Sequence, residues 1–139
     1  MKRPARSADA PGLPELARLA RQARNRAYAP FSRFKVGAAL RAKSVEIVTG
    51  CNVENASYGL TICAERVAVF KAVSEGIRKF DAVAVVADSA RLTPPCGPCR
   101  QILWEFCGDI VVHMVDLKGR SRTMKMSELL PLPFDKTNL

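Results

Sequence analysis

The chain of 139 residues lacks any run of about 18 apolar residues, which excludes a membrane-spanning helix. No apolar stretch follows the opening MKRPARSADAPG, so we expect no secretory signal and a cytoplasmic protein. An organellar transit peptide is the weaker alternative, since this segment is rich in arginine. The five cysteines are an odd number, which in such a chain argues against a disulfide framework and for metal binding or catalysis.

Aromatic residues are also scarce, at 6% of the chain, and none is interleaved with the basic residues near the start. Residues 1–26 carry seven basic and two acidic side chains, and such an arm could contact RNA or DNA. Binding of single strands also uses aromatic stacking platforms, so we favour a solvated tail and one basic helix face. We expect residues 1–12 to be a disordered basic extension and residues 13–139 to form a single domain.

Hydrophobic periodicity divides the chain into three helices and five strands. The predicted helices are 14–27, 63–75 and 98–106, and the predicted strands are 34–40, 45–49, 81–87, 110–115 and 122–126. The run DAVAVVA at 81–87 is typical of a buried central strand, and Gly37 with the two alanines after it lets another element pack closely. This order predicts an α/β fold with three layers, α/β/α, around a mixed five-stranded sheet, followed by a mostly extended tail.

The residues that carry chemistry are Cys63-Ala64-Glu65 and the later segment Pro95-Cys96-Gly97-Pro98-Cys99. The Cys-x-x-Cys spacing places two thiolates around one loop-to-helix corner, where they can share a tetrahedral metal ion. Cys63 would be a third ligand, and the only histidine, His113, lies in a predicted strand. Three protein ligands favour a catalytic zinc site, because structural zinc sites usually have four.

Glu65 lies two residues from a ligand and is not needed as one. A carboxylate beside zinc and water can take up a proton and hand it on, which is the chemistry of nucleobase deaminases. Arg66 is a candidate to offset the negative charge of three thiolates by donating hydrogen bonds to a cysteine sulfur. A redox Cys-x-x-Cys pair needs neither a third cysteine nor Glu65. A structural zinc ribbon is disfavoured by the Cys-Ala-Glu segment upstream of the pair.

Four sequence blocks resemble the homotetrameric zinc-dependent cytidine deaminases. They are YAPFSRFKVGAAL at 28–40, TGCNVENASYGLTICAER at 49–66, PCGPCRQ at 95–101 and LLPLPF at 129–134. The resemblance implies the cytidine deaminase-like fold and a Zn²⁺-dependent hydrolase of pyrimidine salvage. It would convert cytidine and deoxycytidine to uridine and deoxyuridine with release of ammonia.

The resemblance also implies roles for individual residues. Cys63, Cys96 and Cys99 match the zinc ligands, and Glu65 matches the residue that shuttles protons. The implied substrate contacts are Asn52 and Glu54 to the ribose 3′-hydroxyl, Phe34 to the pyrimidine, the backbone of Ala64 to the cytosine edge, and Ala56, Tyr58 and Phe134 to a neighbouring subunit's substrate. The roles of Ala56, Tyr58 and Phe134 imply a homotetramer with shared active sites.

Two segments depart from the family pattern, the arginine-rich N-terminal extension and residues 41–45, and three other functions remain open. Residues 41–45, RAKSV, lack the glycine-containing turn usual in that hairpin, which puts its geometry in doubt. A deaminase of single-stranded nucleic acid is disfavoured because a grip on the 3′-hydroxyl would clash with a 3′-phosphate. A deaminase of a modified nucleoside is disfavoured by the intact NVENASY segment, and a catalytically silent zinc protein by Glu65.

Overall fold

A computed structural model describes residues 12–139, so the expected basic extension lies outside the described residues except for Gly12. The helices are α1 (Leu13–Arg24), α2 (Ala64–Ser74), α3 (Gly97–Cys107) and the short α4 (Met126–Leu129). The strands are β1 (Val36–Ala42), β2 (Ile47–Cys51), β3 (Phe80–Ala87), β4 (Val111–Val115) and β5 (Ser121–Lys125). None of the helices in this part of the chain is long and apolar enough to cross a membrane.

The three predicted helices and five predicted strands are all present, with ends shifted by a few residues. The short helix α4 was not predicted, and a 3₁₀ turn at Lys136–Asn138 interrupts the tail that was expected to be mostly extended. A capping box supports each of them: Glu128 accepts a hydrogen bond from the backbone of Lys125, and Asp135 accepts one from Thr137 N.

The sheet has the strand order β2-β1-β3-β4-β5. β3 and β4 run parallel, joined through α3, and every other neighbouring pair is antiparallel. The predicted mixed five-stranded sheet is therefore confirmed. β3 is buried at nearly every position, as its continuous apolar sequence predicted.

Helix α1 covers one face of the sheet, where Leu16 and Ala20 pack against small residues of β1 and β3. This approach is very close, because a Cβ atom at Gly37 would lie 1.9 Å from the backbone oxygen of Ala20. This confirms the prediction that Gly37 lets another element pack closely on the strand. Helices α2 and α3 cover the other face and complete the three layers.

Helix α2 lies equally close to the edge strand β2. A Cβ atom at Gly50 would lie 2.6 Å from Ala64 O and 2.6 Å from Ala68 N. Glycine at position 50 therefore sets how near the first turn of α2 can come to the sheet, and this turn follows directly on Cys63.

The hairpin between β1 and β2 shows how the chain turns without a glycine. Val45 adopts a left-handed backbone conformation with φ of 69°, which a β-branched residue rarely takes. The β1–β3 register also shifts between Arg41 and Ala42. The unusual sequence at 41–45 therefore produces a strained turn.

Candidate metal centre and substrate cavity

The structure brings Cys63, Cys96 and Cys99 together. Their three sulfur atoms all lie within 4.8 Å of one another. Cys63 Sγ is 3.8 Å from Cys96 Sγ, which is 3.3 Å from Cys99 Sγ. In the described residues this is the one group of three potential metal donors, and His113 is not part of it.

Two helix N-termini position these cysteines. Cys63 is the N-cap residue of α2, and Cys96 is the N-cap residue of α3, with Cys99 in the first turn of the same helix. Backbone N–H groups and the helix dipole make such positions favourable for negative charge. Pro98 suits the first turn of α3, because a hydrogen-bonding N–H is not required there.

Arg66 lies against the sulfur cluster. Its Nη2 donates to Cys63 Sγ at 3.2 Å and approaches Thr61 O at 3.5 Å. Its Nε is buried and has no hydrogen-bond partner among the described residues. The guanidinium therefore supplies positive charge and an unused N–H at the edge of the cluster.

The ionisation of the thiols fits a cation between them. Hydrogen bonds from the Cys99 thiol and from Arg66 lower the pKa of Cys63. The same bond to Cys63, together with burial, raises the pKa of Cys99. The protein alone therefore favours the thiolate of Cys63 and disfavours that of Cys99, and a bound cation such as Zn²⁺ would stabilise both thiolates. The donor set fits zinc, which takes cysteine sulfur in tetrahedral sites.

Glu65 occupies the first turn of α2, lines the same cavity as Cys63 and Cys96, and has only 4% of its surface exposed. Burial raises the pKa of Glu65 to about 7, because the charged form loses hydration. A carboxyl group with this pKa can both accept and release a proton near neutral pH.

A cavity of about 220 Å³ opens beside the cysteines and Glu65. Its wall is formed by Ser32, Phe34, Val36, Asn52, Glu54, Thr61, Cys63, Ala64, Glu65, Val85, Thr93, Pro94 and Cys96. Four of the predicted substrate contacts, Phe34, Asn52, Glu54 and Ala64, therefore lie on one cavity with the candidate catalytic group.

The polar residues on this wall are held in place by backbone groups. Asn52 Oδ1 accepts from Val36 N at 2.9 Å, and Asn52 Nδ2 donates to Phe34 O at 2.7 Å. Glu54 accepts from Phe31 N at 2.9 Å, from Ser32 N at 3.1 Å and from the Ser32 hydroxyl. The hydrogen bond from Ser32 lowers the pKa of Glu54, so this group is a carboxylate at neutral pH.

Three predicted substrate contacts lie away from this cavity. Ala56 is exposed, Tyr58 is 76% exposed, and Phe134 is 62% exposed on the C-terminal tail. The ring of Tyr58 lies edge-on to Phe31, with ring centres 6.1 Å apart, beside a second recess that Glu54 also lines. A single chain therefore does not bring these residues to the sulfur cluster.

Sequence reasoning missed part of the cavity wall. Thr93 and Pro94 come from the loop between β3 and α3, and Val85 comes from the middle of β3. The position of Thr93 and Pro94 just before the ligand Cys96 was a usable signal. No signal in the sequence indicated Val85, because the apolar sequence of β3 predicts a buried core position for each of its apolar residues.

The fold and the sulfur cluster together define a zinc enzyme, because three protein donors are typical of catalytic zinc sites and four of structural ones. Comparison with known proteins narrows this class. Residues 13–114 match the family described as the cytidine and deoxycytidylate deaminase zinc-binding region. The chain belongs to this family.

Individual relatives agree with this assignment. The chain is 55% identical over 114 residues to a cytidine deaminase of Halalkalibacterium halodurans, covering 81% of this chain and 86% of that protein. It is 50% identical over 120 residues to a cytidine deaminase of Sporosarcina psychrophila, and the match covers 86% of this chain and 88% of that protein. A crystal structure of cytidine deaminase from Burkholderia pseudomallei superposes with a TM-score of 0.85 at 44% identity, covering 88% of this chain and 99% of that chain. The predicted fold class, the zinc cofactor and membership of the cytidine deaminase family are thereby confirmed.

Proposed function

We propose that the chain is a zinc-dependent cytidine deaminase, formed by residues 13–139 as one catalytic domain. It hydrolyses cytidine and deoxycytidine to uridine and deoxyuridine and releases ammonia. The observation that carries the proposal is the buried Glu65 beside three converging thiols, on one cavity with Asn52 and Glu54. The relatives named cytidine deaminases, at 50% and 55% identity, support the same substrate.

Cys63, Cys96 and Cys99 hold the metal, and Arg66 balances their charge. A zinc ion bound there supplies a Lewis acid that makes water more acidic and polarises the reacting centre. Glu65 accepts a proton from the attacking water and delivers it to N3 of the cytosine ring as the C4–O bond forms. It then takes the proton of the hydroxyl added at C4 and passes it to the amino group, so that the C4–N bond breaks and ammonia leaves. Its pKa of about 7 suits both directions of transfer.

The remaining cavity residues bind and orient the nucleoside. Phe34 packs on the pyrimidine ring, and the backbone of Ala64 contacts the edge of the cytosine. Asn52 and Glu54 hold the ribose 3′-hydroxyl, for which an amide and a carboxylate offer both a donor and an acceptor. This grip favours free nucleosides over nucleic acid, because a 3′-phosphate would bring a second negative charge next to Glu54.

We propose that the enzyme is a homotetramer with shared active sites. The cavity of about 220 Å³ in one chain is below the range of roughly 300–1,000 Å³ typical of small-molecule sites. Tyr58 and Phe134 expose large apolar surfaces, which are common where another subunit packs. Ala56, Tyr58 and Phe134 would complete a neighbour's site. Light scattering that gives the mass of a single chain at assay concentration would contradict this arrangement.

Pyrimidine salvage in the cytoplasm is the role that fits a deaminase of free nucleosides, and this role requires no membrane partner.

The decisive experiment follows the ultraviolet absorbance of cytidine after addition of the purified, zinc-loaded protein. We expect absorbance to fall with the native protein and to stay constant with Glu65→Ala, which should retain zinc. If native protein with bound zinc leaves cytidine unchanged, the proposal is wrong, and single-stranded nucleic acid and modified nucleosides become the substrates to test.

A further inference from the structure

The loop between β3 and α3 forms one side of the substrate cavity. Thr93 and Pro94 of this loop line the cavity, and the loop ends at the metal ligand Cys96. It contains no regular secondary structure between Asp88 and Pro95, so backbone ladders do not fix its path. Its conformation depends on contacts from elsewhere in the chain.

Arg120 supplies these contacts from outside the cavity. It lies at the turn between β4 and β5, and its Nη1 donates to Ala90 O at 3.1 Å while its Nη2 donates to Ser89 O at 3.2 Å. One planar guanidinium thus holds two successive carbonyl groups at the start of the loop. Arginine is suited to this task because its donors lie in a rigid fork.

Asp116 holds Arg120 in turn. Its side chain is 1% exposed and pairs with Arg120 Nε, while its Oδ1 accepts from Lys118 N at 2.8 Å and Arg120 N at 2.9 Å. A carboxylate this buried requires partners to remain charged. Gly119 permits the turn, since its φ is 89°. The turn, the carboxylate and the guanidinium therefore form one unit.

The contact continues from the start of the loop to the cavity wall. The hydroxyl of Ser89 lies 2.7 Å from the hydroxyl of Thr93 and also donates to Arg91 O. Arg120 binds the backbone carbonyl of Ser89, and the side chain of Ser89 contacts Thr93. Ser89 therefore links Arg120 to Thr93. These hydrogen bonds connect the carbonyl group that Arg120 binds to Thr93, which lines the cavity.

We propose that Arg120, held by Asp116, is a positioning residue that fixes the loop at 88–94 and thereby sets the Thr93–Pro94 wall of the substrate cavity. Neither side chain lines the cavity itself. The inference rests on the proposed function, because it concerns how cytidine is bound. A wall that contacts substrate equally before and during reaction changes KM and leaves kcat nearly constant.

The test compares Arg120→Gln and Arg120→Lys with the native protein. Both lose the forked contact to the two carbonyls, while lysine keeps a positive charge for Asp116. We expect KM for cytidine to rise about fivefold to tenfold in Arg120→Gln and less in Arg120→Lys, with kcat per bound zinc changed by less than about twofold. The matched control is Arg78→Gln, because Arg78 also donates to two carbonyls, Val73 O at 2.6 Å and Ile77 O at 3.3 Å, away from the cavity.

Two further measurements keep the inference independent of protein stability and of the substrate assignment. Ser89→Ala leaves Arg120 and Asp116 intact and should also raise KM for cytidine. Amide hydrogen exchange at residues 88–96 should become faster in Arg120→Gln and not in the control. Unchanged exchange and unchanged KM would overturn the proposal, as would a loss confined to kcat and zinc content. If native protein does not deaminate cytidine, the proposed function fails, and the exchange result still decides whether Arg120 fixes the loop.

Discussion

Replacing Gly50 by alanine should disturb the active site from the far side of helix α2. The added methyl group would lie 2.6 Å from Ala64 O and 2.6 Å from Ala68 N, and 3.1 Å from Val67 Cβ. All of these atoms belong to the first turns of α2, and two are backbone atoms that cannot rotate away. Ordinary contact requires roughly 3.4 Å or more, so the helix must move away from β2 by about 0.8 Å.

The size of the effect follows from what the helix carries. Cys63 caps α2, and Glu65 lies in its first turn. Misplacement of catalytic groups by about 1 Å can reduce rates by about 100-fold, and overpacking of this kind costs about 1–3 kcal/mol of stability. We therefore expect kcat/KM for cytidine to fall by at least about tenfold and the melting temperature to fall by about 4–12 °C.

The assay measures both quantities for Gly50→Ala and for the control Gly12→Ala. A Cβ at Gly12 would meet only Pro14 Cδ, at an ordinary 3.6 Å, so this variant should behave nearly as the native protein does. If Gly50→Ala keeps kcat/KM within a factor of two and melts normally, close contact between β2 and α2 does not position Glu65. A lower melting temperature with unchanged kcat/KM would show that the helix shift spares the catalytic geometry.

Four other changes test separate parts of the structure. Val45→Gly should raise the melting temperature by about 2–4 °C in a thermal scan, because it relieves the left-handed backbone of a β-branched residue; an unchanged or lower value would contradict strain at this turn. Trp104→Phe removes the hydrogen bond to Asp135 at 2.8 Å and should lower stability to urea by about 1 kcal/mol. Arg66→Gln should weaken zinc binding by about tenfold in a chelator competition, since it removes the donor to Cys63 Sγ. Burial alone would raise the pKa of Asp116, but the hydrogen bonds from Arg120 and from the backbone lower this pKa overall. The charged carboxylate therefore stabilises the fold above about pH 4, and this stabilisation is lost at lower pH. Asp116→Asn should therefore be less stable than the native protein at pH 7, and this difference should shrink as the pH falls below about 4.

Much of the fold was predictable because its elements depend on local patterns. The continuous apolar run of β3 indicated a central strand, and Gly37 indicated a close helix, which proved to be α1. The ends of α2 and α3 followed from Cys63, Gly76 and Pro98, whose backbone preferences are local. The thiol spacing indicated the metal site for the same reason, since two ligands lie within one turn of the chain.

Helix α4, the path of the tail and the Arg120 contacts were not predicted, because they depend on contacts between segments that are distant in the sequence. Helix α4 ends at Leu129, whose backbone oxygen accepts from Arg100 at 2.9 Å, and the tail continues over Gln101 and Trp104 of α3. No periodicity in the tail reveals these partners. The Arg120 contacts to the loop at 88–94 join residues about 30 positions apart, and a single sequence gives no signal for such pairs.

The sulfur cluster has a consequence for how the enzyme matures. Cys63 precedes β3, whereas Cys96 and Cys99 follow it, so the three sulfurs meet only after β3 has been inserted into the sheet. Pairing of distant strands is slow compared with helix formation, which makes metal capture a late event in folding. Three thiols that the fold brings within 4.8 Å of one another are open to oxidative cross-linking unless a metal ion engages them. The yield of active enzyme should therefore depend on reducing conditions during synthesis as much as on the supply of zinc.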